Sequence, residues 1–186
     1  MENKLIDRIA DAFNVPSPEA ENMDDYLDIL LREIRQWSED LPEQEFYVGK
    51  PWLLIKDDVE FHDAILLFFN EDGEYLQSTN GDVETGMWRY LENANKLLLD
   101  MNGESELYDL AFLDDHFFIL DKHGDQKKLG NNKYMVMAYE PIANGIEWRD
   151  AMEYLFNKYR NNANSFIAVV LVVMLVIAIF VALSLA

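Results

Sequence analysis

Ile65-Leu66-Leu67-Phe68-Phe69-Asn70-Glu71-Asp72-Gly73-Glu74-Tyr75 decides the fold. The run before the turn would be apolar on both faces of a strand, and Asp72-Gly73 is a tight-turn dipeptide, so the stretch reads as a hairpin. The same signal recurs downstream. Between residues 44 and 140 the period is two, and further turn dipeptides stand at Asn80-Gly81, Asn102-Gly103 and His123-Gly124. This pattern predicts an antiparallel meander with strands over 50–56, 61–70, 75–78, 85–91, 96–101, 104–112, 117–121 and 133–140. Eight strands are enough to close a small barrel. Pro42 precedes the first strand, Pro51 opens it where a missing donor is tolerable, and Pro141 follows the last.

Helices are predicted outside the meander, so the fold class is mainly β with flanking α. Leu5, Ile6, Ile9, Ala10 and Phe13 share one face of a short helix. Ser17 then reads as an N-cap with Pro18 at the first helical position, opening a second helix that runs to about Ser38. Its stripe is Met23, Leu27, Leu30, Ile34 and Trp37, spaced four and three apart. Trp148, Met152, Leu155 and Tyr159 repeat the spacing after Pro141. Residues 97–99, 117–120 and 134–139, like 65–69, are apolar on both faces, so something must cover part of the outer sheet. The flanking helices are candidates for that cover, and so is a second copy of the chain. The expected organisation is N-terminal helices over 1–42, the barrel over 43–140, a helix and polar neck over 141–164, and an anchor over 165–186.

That anchor is the plainest address in the chain. Residues 166–186 carry no charge, and fifteen of the twenty-one are Leu, Ile, Val or Phe. As a helix the segment is about 31 Å long, and insertion is favoured by about −6 kcal/mol at roughly −0.4 per apolar residue. The anchoring positions include Phe166, Ile167, Val170, Leu175, Ile179 and Leu183. Lys158 and Arg160 precede it and no charge follows, which places residues 1–164 in the cytoplasm as a tail-anchored, single-pass arrangement. The segment 5–13, broken by Asp7, Arg8 and Asp11, cannot serve as a signal-peptide core.

Several sequences in order carry a resemblance: Val48-Gly49-Lys50-Pro51-Trp52, Phe68-Phe69-Asn70-Glu71-Asp72-Gly73-Glu74-Tyr75, Gly86-Met87-Trp88 and Leu97-Leu98-Leu99. Together they resemble small bacterial lipocalin-like domains, over residues 48–124. Those domains open on a Gly-x-Trp strand, continue with an apolar strand ending in Asp-Gly-x-Tyr, and follow with Gly-x-Trp and Leu-x-Leu strands. At the opening motif two residues separate Gly49 from Trp52 where the family has one. The resemblance implies a barrel with room for an apolar pocket and transfers no catalytic residue. Leu, Phe, Met and Tyr at the inward positions predict a filled interior instead.

The formal charge is −20, which excludes a phosphate-backbone footprint, so no nucleic acid partner is expected. Without cysteine there is no thiolate nucleophile or thiolate metal site, and the absence fits a reducing compartment. His62, His116 and His123 fall into no metal-ligand spacing, and no phosphate loop or nucleophile elbow occurs. The acids around His116 and His123 read as solvated turns. No metal, cofactor or catalytic residue is expected, and no ligand-binding residue can be named. The function these readings predict is a non-catalytic, tail-anchored module that presents a lipocalin-like barrel for a protein partner or for itself. The two stripes Met23 to Trp37 and Trp148 to Tyr159 are its candidate partner surfaces, with covering the sheet as their other use. The alternative is a carrier or sensor of a hydrophobic small molecule or lipid inside the barrel. A hydrolase would need carboxylates and a histidine converging in a cleft.

Overall fold

The computed structural model describes residues 20–58, 63–123 and 132–159, together with Val173, Met174 and Ile177. Contacts divide the chain into a unit of Pro18–Met152 and a second unit of Met1–Ser17 with Glu153–Ala186. The expected first helix over 5–13 lies outside the described residues.

In the larger unit the chain enters through α1, Met23–Ile34. This start corrects the expected one at Ser17. Glu21 and Asn22 are bends, and Asn22 is the N-cap, its side-chain oxygen accepting the Asp25 N–H at 2.8 Å. Asp24 and Asp25 complement the dipole in the first turn. A 3-10 turn, Arg35–Trp37, ends the helix, and a second, Gln44–Phe46, lies on the way to the sheet.

Eight strands follow: β1 Trp52–Ile55, β2 Ile65–Phe69, β3 Glu74–Thr79, β4 Asp82–Leu91, β5 Lys96–Met101, β6 Glu104–Leu113, β7 Phe117–Lys122 and β8 Tyr134–Tyr139. Each pairs antiparallel with the next, and β8 returns to β1, so the sheet is a closed barrel. All eight predicted strands are present. Trp52 stands opposite Tyr139 in the closing seam and is fully buried, so the longer Gly-Trp spacing leaves it a seam residue. Asn80-Gly81 and Asn102-Gly103 are two-residue turns with all four φ positive (53°, 96°, 54° and 84°), the geometry that favours Asn-Gly. Residue 124 lies outside the described residues, so the fourth predicted turn does too.

One irregularity sets what the barrel contains. Along β6 the inward residues are Tyr108 and Leu110, but Ala111 is a bulge, and past it the inward residue is Leu113. The shift turns Phe112 outward, opposite Ile119, while Leu113 faces Phe118 inside. Beyond the bulge, β6 therefore offers large apolar groups to both sides. Outside, the apolar face of α1 lies against this half of the sheet. Its Asp24 accepts the backbone N–H of Lys133 at 2.6 Å, and its Asp28 accepts the Tyr134 hydroxyl at 2.7 Å. Phe112, Phe117, Ile119, Val136 and Ala138 are buried outward residues here.

After β8 a single helical turn, α2 (Glu140–Ala143), carries Pro141 where its absent N–H costs nothing. Residues 148–152 are helical and end the unit. In the second unit residues 153–159 are helical, with Leu155, Phe156 and Tyr159 buried. Val173, Met174 and Ile177 are helical and exposed.

Candidate functional site

A small barrel has two places for chemistry, its lumen and the clefts on its wall. The lumen is filled at one end by the chain's own approach to β1. Leu41 and Tyr47, neither on a strand, are fully buried among the inward residues. The Tyr47 ring lies 5.0 Å from Phe118, 5.5 Å from Trp88 and 6.0 Å from Phe69, centroid to centroid. Phe118 also meets Trp52 at 5.8 Å and Phe69 at 5.4 Å. Polar atoms of this plug are paired. The Tyr47 hydroxyl donates to the Leu41 carbonyl and the Trp52 indole N–H to the Tyr47 carbonyl, each at 2.9 Å. Asn95, held at φ 49°, ties the plug to the β4–β5 turn by accepting the Leu41 N–H at 3.0 Å and donating to Asp40 at 2.9 Å.

Toward the other end the inward series turns polar. By strand alternation it continues through Gln77, Glu84 and Glu106 toward the β3–β4 and β5–β6 turns. The Tyr108 hydroxyl donates to the Glu106 carboxylate. Burial, with Glu106 adding to it, pushes the phenols of Tyr75 and Tyr108 far above their ordinary 10.0, and burial does the same to Tyr47. All three stay protonated near neutrality. They are donors, not bases.

The wall carries a cleft of about 330 Å³ between α1 and the outer side of β6–β8, lined by Asp28, Arg32, Arg35, Asp109, Asp121 and Lys133 among others. Two networks frame it. In one, Asp28 takes the Lys133 ammonium and the Tyr134 hydroxyl. In the other, Asp109 takes the Lys96 ammonium and, at 2.7 Å, Nδ1 of His123, which lies 3.1 Å from Lys96 Nζ. Burial alone would raise the Asp28 carboxyl, but the hydrogen bonds from Lys133 and Tyr134 and the Lys133 and Arg32 charges outweigh it and hold the group below 3.8. Asp109 is treated alike by burial on one side and Lys96 and His123 on the other. Burial likewise raises the Tyr134 phenol, to about 12, with Asp28 adding to the shift. Asp28 and Asp109 face cations, and no serine or threonine lines the cleft. Among the described residues no group of three or more acids and histidines is placed to hold a metal ion.

These pairings fix a pH response. Both carboxyls bind protons less readily folded than unfolded, so their ionised forms stabilise the fold above about pH 4, and the contribution is lost as pH falls through the lower folded values. Asp28→Asn should flatten the acid limb of a urea-unfolding profile taken from pH 7 to pH 3. Since the Asp28 side chain is 40% exposed, the loss at pH 7 should stay under about 1 kcal/mol.

Of the predicted partner stripes, Met23, Leu27, Leu30 and Ile34 are buried in the larger unit and Trp37 is half-buried. That is the covering use. Met152, Leu155 and Tyr159 are buried and Trp148 is half-buried. The anchor positions Phe166, Ile167, Val170, Leu175, Ile179 and Leu183 lie outside the described residues. Among those described, no helix is long and apolar enough to cross a membrane. The Asp109–His123–Lys96 contact was not legible in the sequence, where His123 reads only as a turn residue, because β5, β6 and β7 bring the three together by register. Comparison of the chain with protein-family models, with curated proteins and with solved structures finds no match.

Proposed function

We propose that this chain is a non-catalytic, membrane-anchored module that presents a lipocalin-like barrel at the cytoplasmic face for a protein partner or a second copy of itself. The observation that carries the reading is the plugged lumen. With Tyr47, Trp52, Phe69, Trp88 and Phe118 in mutual contact, this end of the interior is occupied by the protein's own rings, and recognition is left to the outer wall. An apolar ligand entering from the opposite end would pass the carboxylates of Glu84 and Glu106. Tethering by 166–186 would raise the effective concentration at the membrane, so contacts too weak for free solution suffice there.

The test has two parts. Full-length chain should sediment with carbonate-washed membranes, and a chain lacking 165–186 should stay in the supernatant. Native mass spectrometry of the full-length protein released from detergent should show the bare chain mass or protein complexes of it. A lipid or other apolar molecule retained at one copy per chain would overturn the filled-barrel reading in favour of a carrier, and full-length protein in the supernatant would overturn the tether.

A further inference from the structure

The wall of the barrel is covered unevenly. Where α1 lies on β6–β8 the outward residues are buried, but on β4 Val83 and Met87 stay 60% and 53% exposed. They are not isolated. Register places Phe68 of β2 beside Leu76 of β3, and Leu76 beside Thr85, which lies between Val83 and Met87 on the same face. On the other side Leu98 of β5 stands opposite Leu107 of β6, one diagonal step from Met87. Phe68, Leu76, Leu98 and Leu107 are half-buried. Six apolar side chains thus run contiguously across the outer face of β2–β6.

Carboxylates edge this strip. Glu74 and Asp100 flank Met87 on the neighbouring strands, and Glu71 and Asp72 stand on the β2–β3 loop at its end. The cations on the face are Arg89 and Lys96, the latter tied to Asp109. An apolar centre with a polar rim is the layout of a protein interface, and here the rim is acidic. We infer that the outer face of β2–β6 is a docking face for a protein surface that is apolar at its centre and basic at its rim. The inference rests on the reading of the chain as a protein-binding module and names the partner's chemistry. A second copy fits less well, since a two-fold contact through this strip would set its rim carboxylates against their own copies in a chain of charge −20. Strand addition is ruled out as the mode, because the closed sheet offers no edge at β2–β6. The partner must pack by side chains.

A photo-crosslinking amino acid at Val83 of the full-length chain, in its native cells, tests this, with the same group at Ile146 as the comparison site. The expected result is an adduct from position 83 to a protein whose crosslinked segment is rich in Lys and Arg. Its yield should fall at least about tenfold with Met87→Asp and hold or rise with Arg89→Ser. Met87→Asp adds negative charge, so attraction by net charge alone would raise the yield instead and overturn the proposal. An adduct joining two copies of this chain, or one to an acidic segment that weakens with Arg89→Ser, would overturn it too. Adducts from position 146 with none from position 83 would overturn this face while leaving the module reading standing. Adducts from neither position, with the chain monomeric in its membrane, would end both.

Discussion

Phe118→Ala is expected to destabilise the protein by about 3–5 kcal/mol, the range for removing a fully buried aromatic ring. The ring is wholly buried and touches Tyr47, Trp52 and Phe69, which come from the plug, the seam strand and β2. Those neighbours are themselves large rings, paired through Tyr47 and Trp52 to fixed carbonyls, so they cannot move inward to fill the space. The cavity term should therefore persist. Against a total stability of about 5–15 kcal/mol this is a large fraction, and the melting midpoint should drop by about 10 °C or more. Thermal unfolding of the full-length protein in detergent, followed by near-ultraviolet dichroism of the tryptophans, measures it. A drop of only a degree or two would mean that the lumen is loosely filled, and would reopen the carrier reading.

The second large effect is expected at Gly86. It sits mid-strand on β4 opposite Met101, and a Cβ placed there would lie 2.4 Å from the Asp100 carbonyl oxygen and 3.2 Å from the Met101 Cβ. The nearest obstacle is backbone, not the tip of a flexible side chain. Gly86→Ala can be accommodated only by moving β4 away from β5, at a cost of about 2–3 kcal/mol. The gain of about 0.5–1 kcal/mol that alanine brings in a strand interior does not offset this. Gly103→Ala separates the steric cause from the conformational one. Gly103 has φ 84° and nothing within 4 Å of the added Cβ, so its cost should be near 1 kcal/mol and purely local. Equal losses at the two glycines in urea titrations would contradict the steric account.

Most of the barrel was legible because alternation and Asn-Gly turns act within a few residues of one another. β3 and β4, and again β5 and β6, are joined by turns whose sequence states their geometry. The helix start was misplaced because Ser17-Pro18 and Asn22 both carry capping signals, and the contact from Asn22 to the Asp25 N–H decides between them. The bulge at Ala111 was invisible for a different reason. Leu110, Ala111, Phe112 and Leu113 are all buried, so no polar residue marks the change of side. Tyr47 offered no signal either, since it lies ahead of the first strand and nothing in the alternation around it marks a residue that enters the lumen. The docking face lay between these cases. The sequence showed strands apolar on both sides and implied a cover. Only the contacts of Asp24 and Asp28 with residues 133 and 134 told that α1 lies on β6–β8, while Val83 and Met87 stay open.

The seam between β1 and β8 bears on how the chain acquires its shape. The other seven pairings join consecutive strands, so most can form while neighbouring residues are being synthesised. The contact of Trp52 with Tyr139 brings together the first and last strands of the sheet. Its loop-closure entropy is the largest of the set, and the step must wait until β8 has left the ribosome. Until then β1 displays unpaired amides beside apolar residues, and the nascent sheet is open to capture by another copy or by a chaperone. If residues 166–186 insert into lipid as proposed, they follow β8 closely enough in sequence that delivery to the bilayer and completion of the cylinder would fall in the same short interval of the molecule's life.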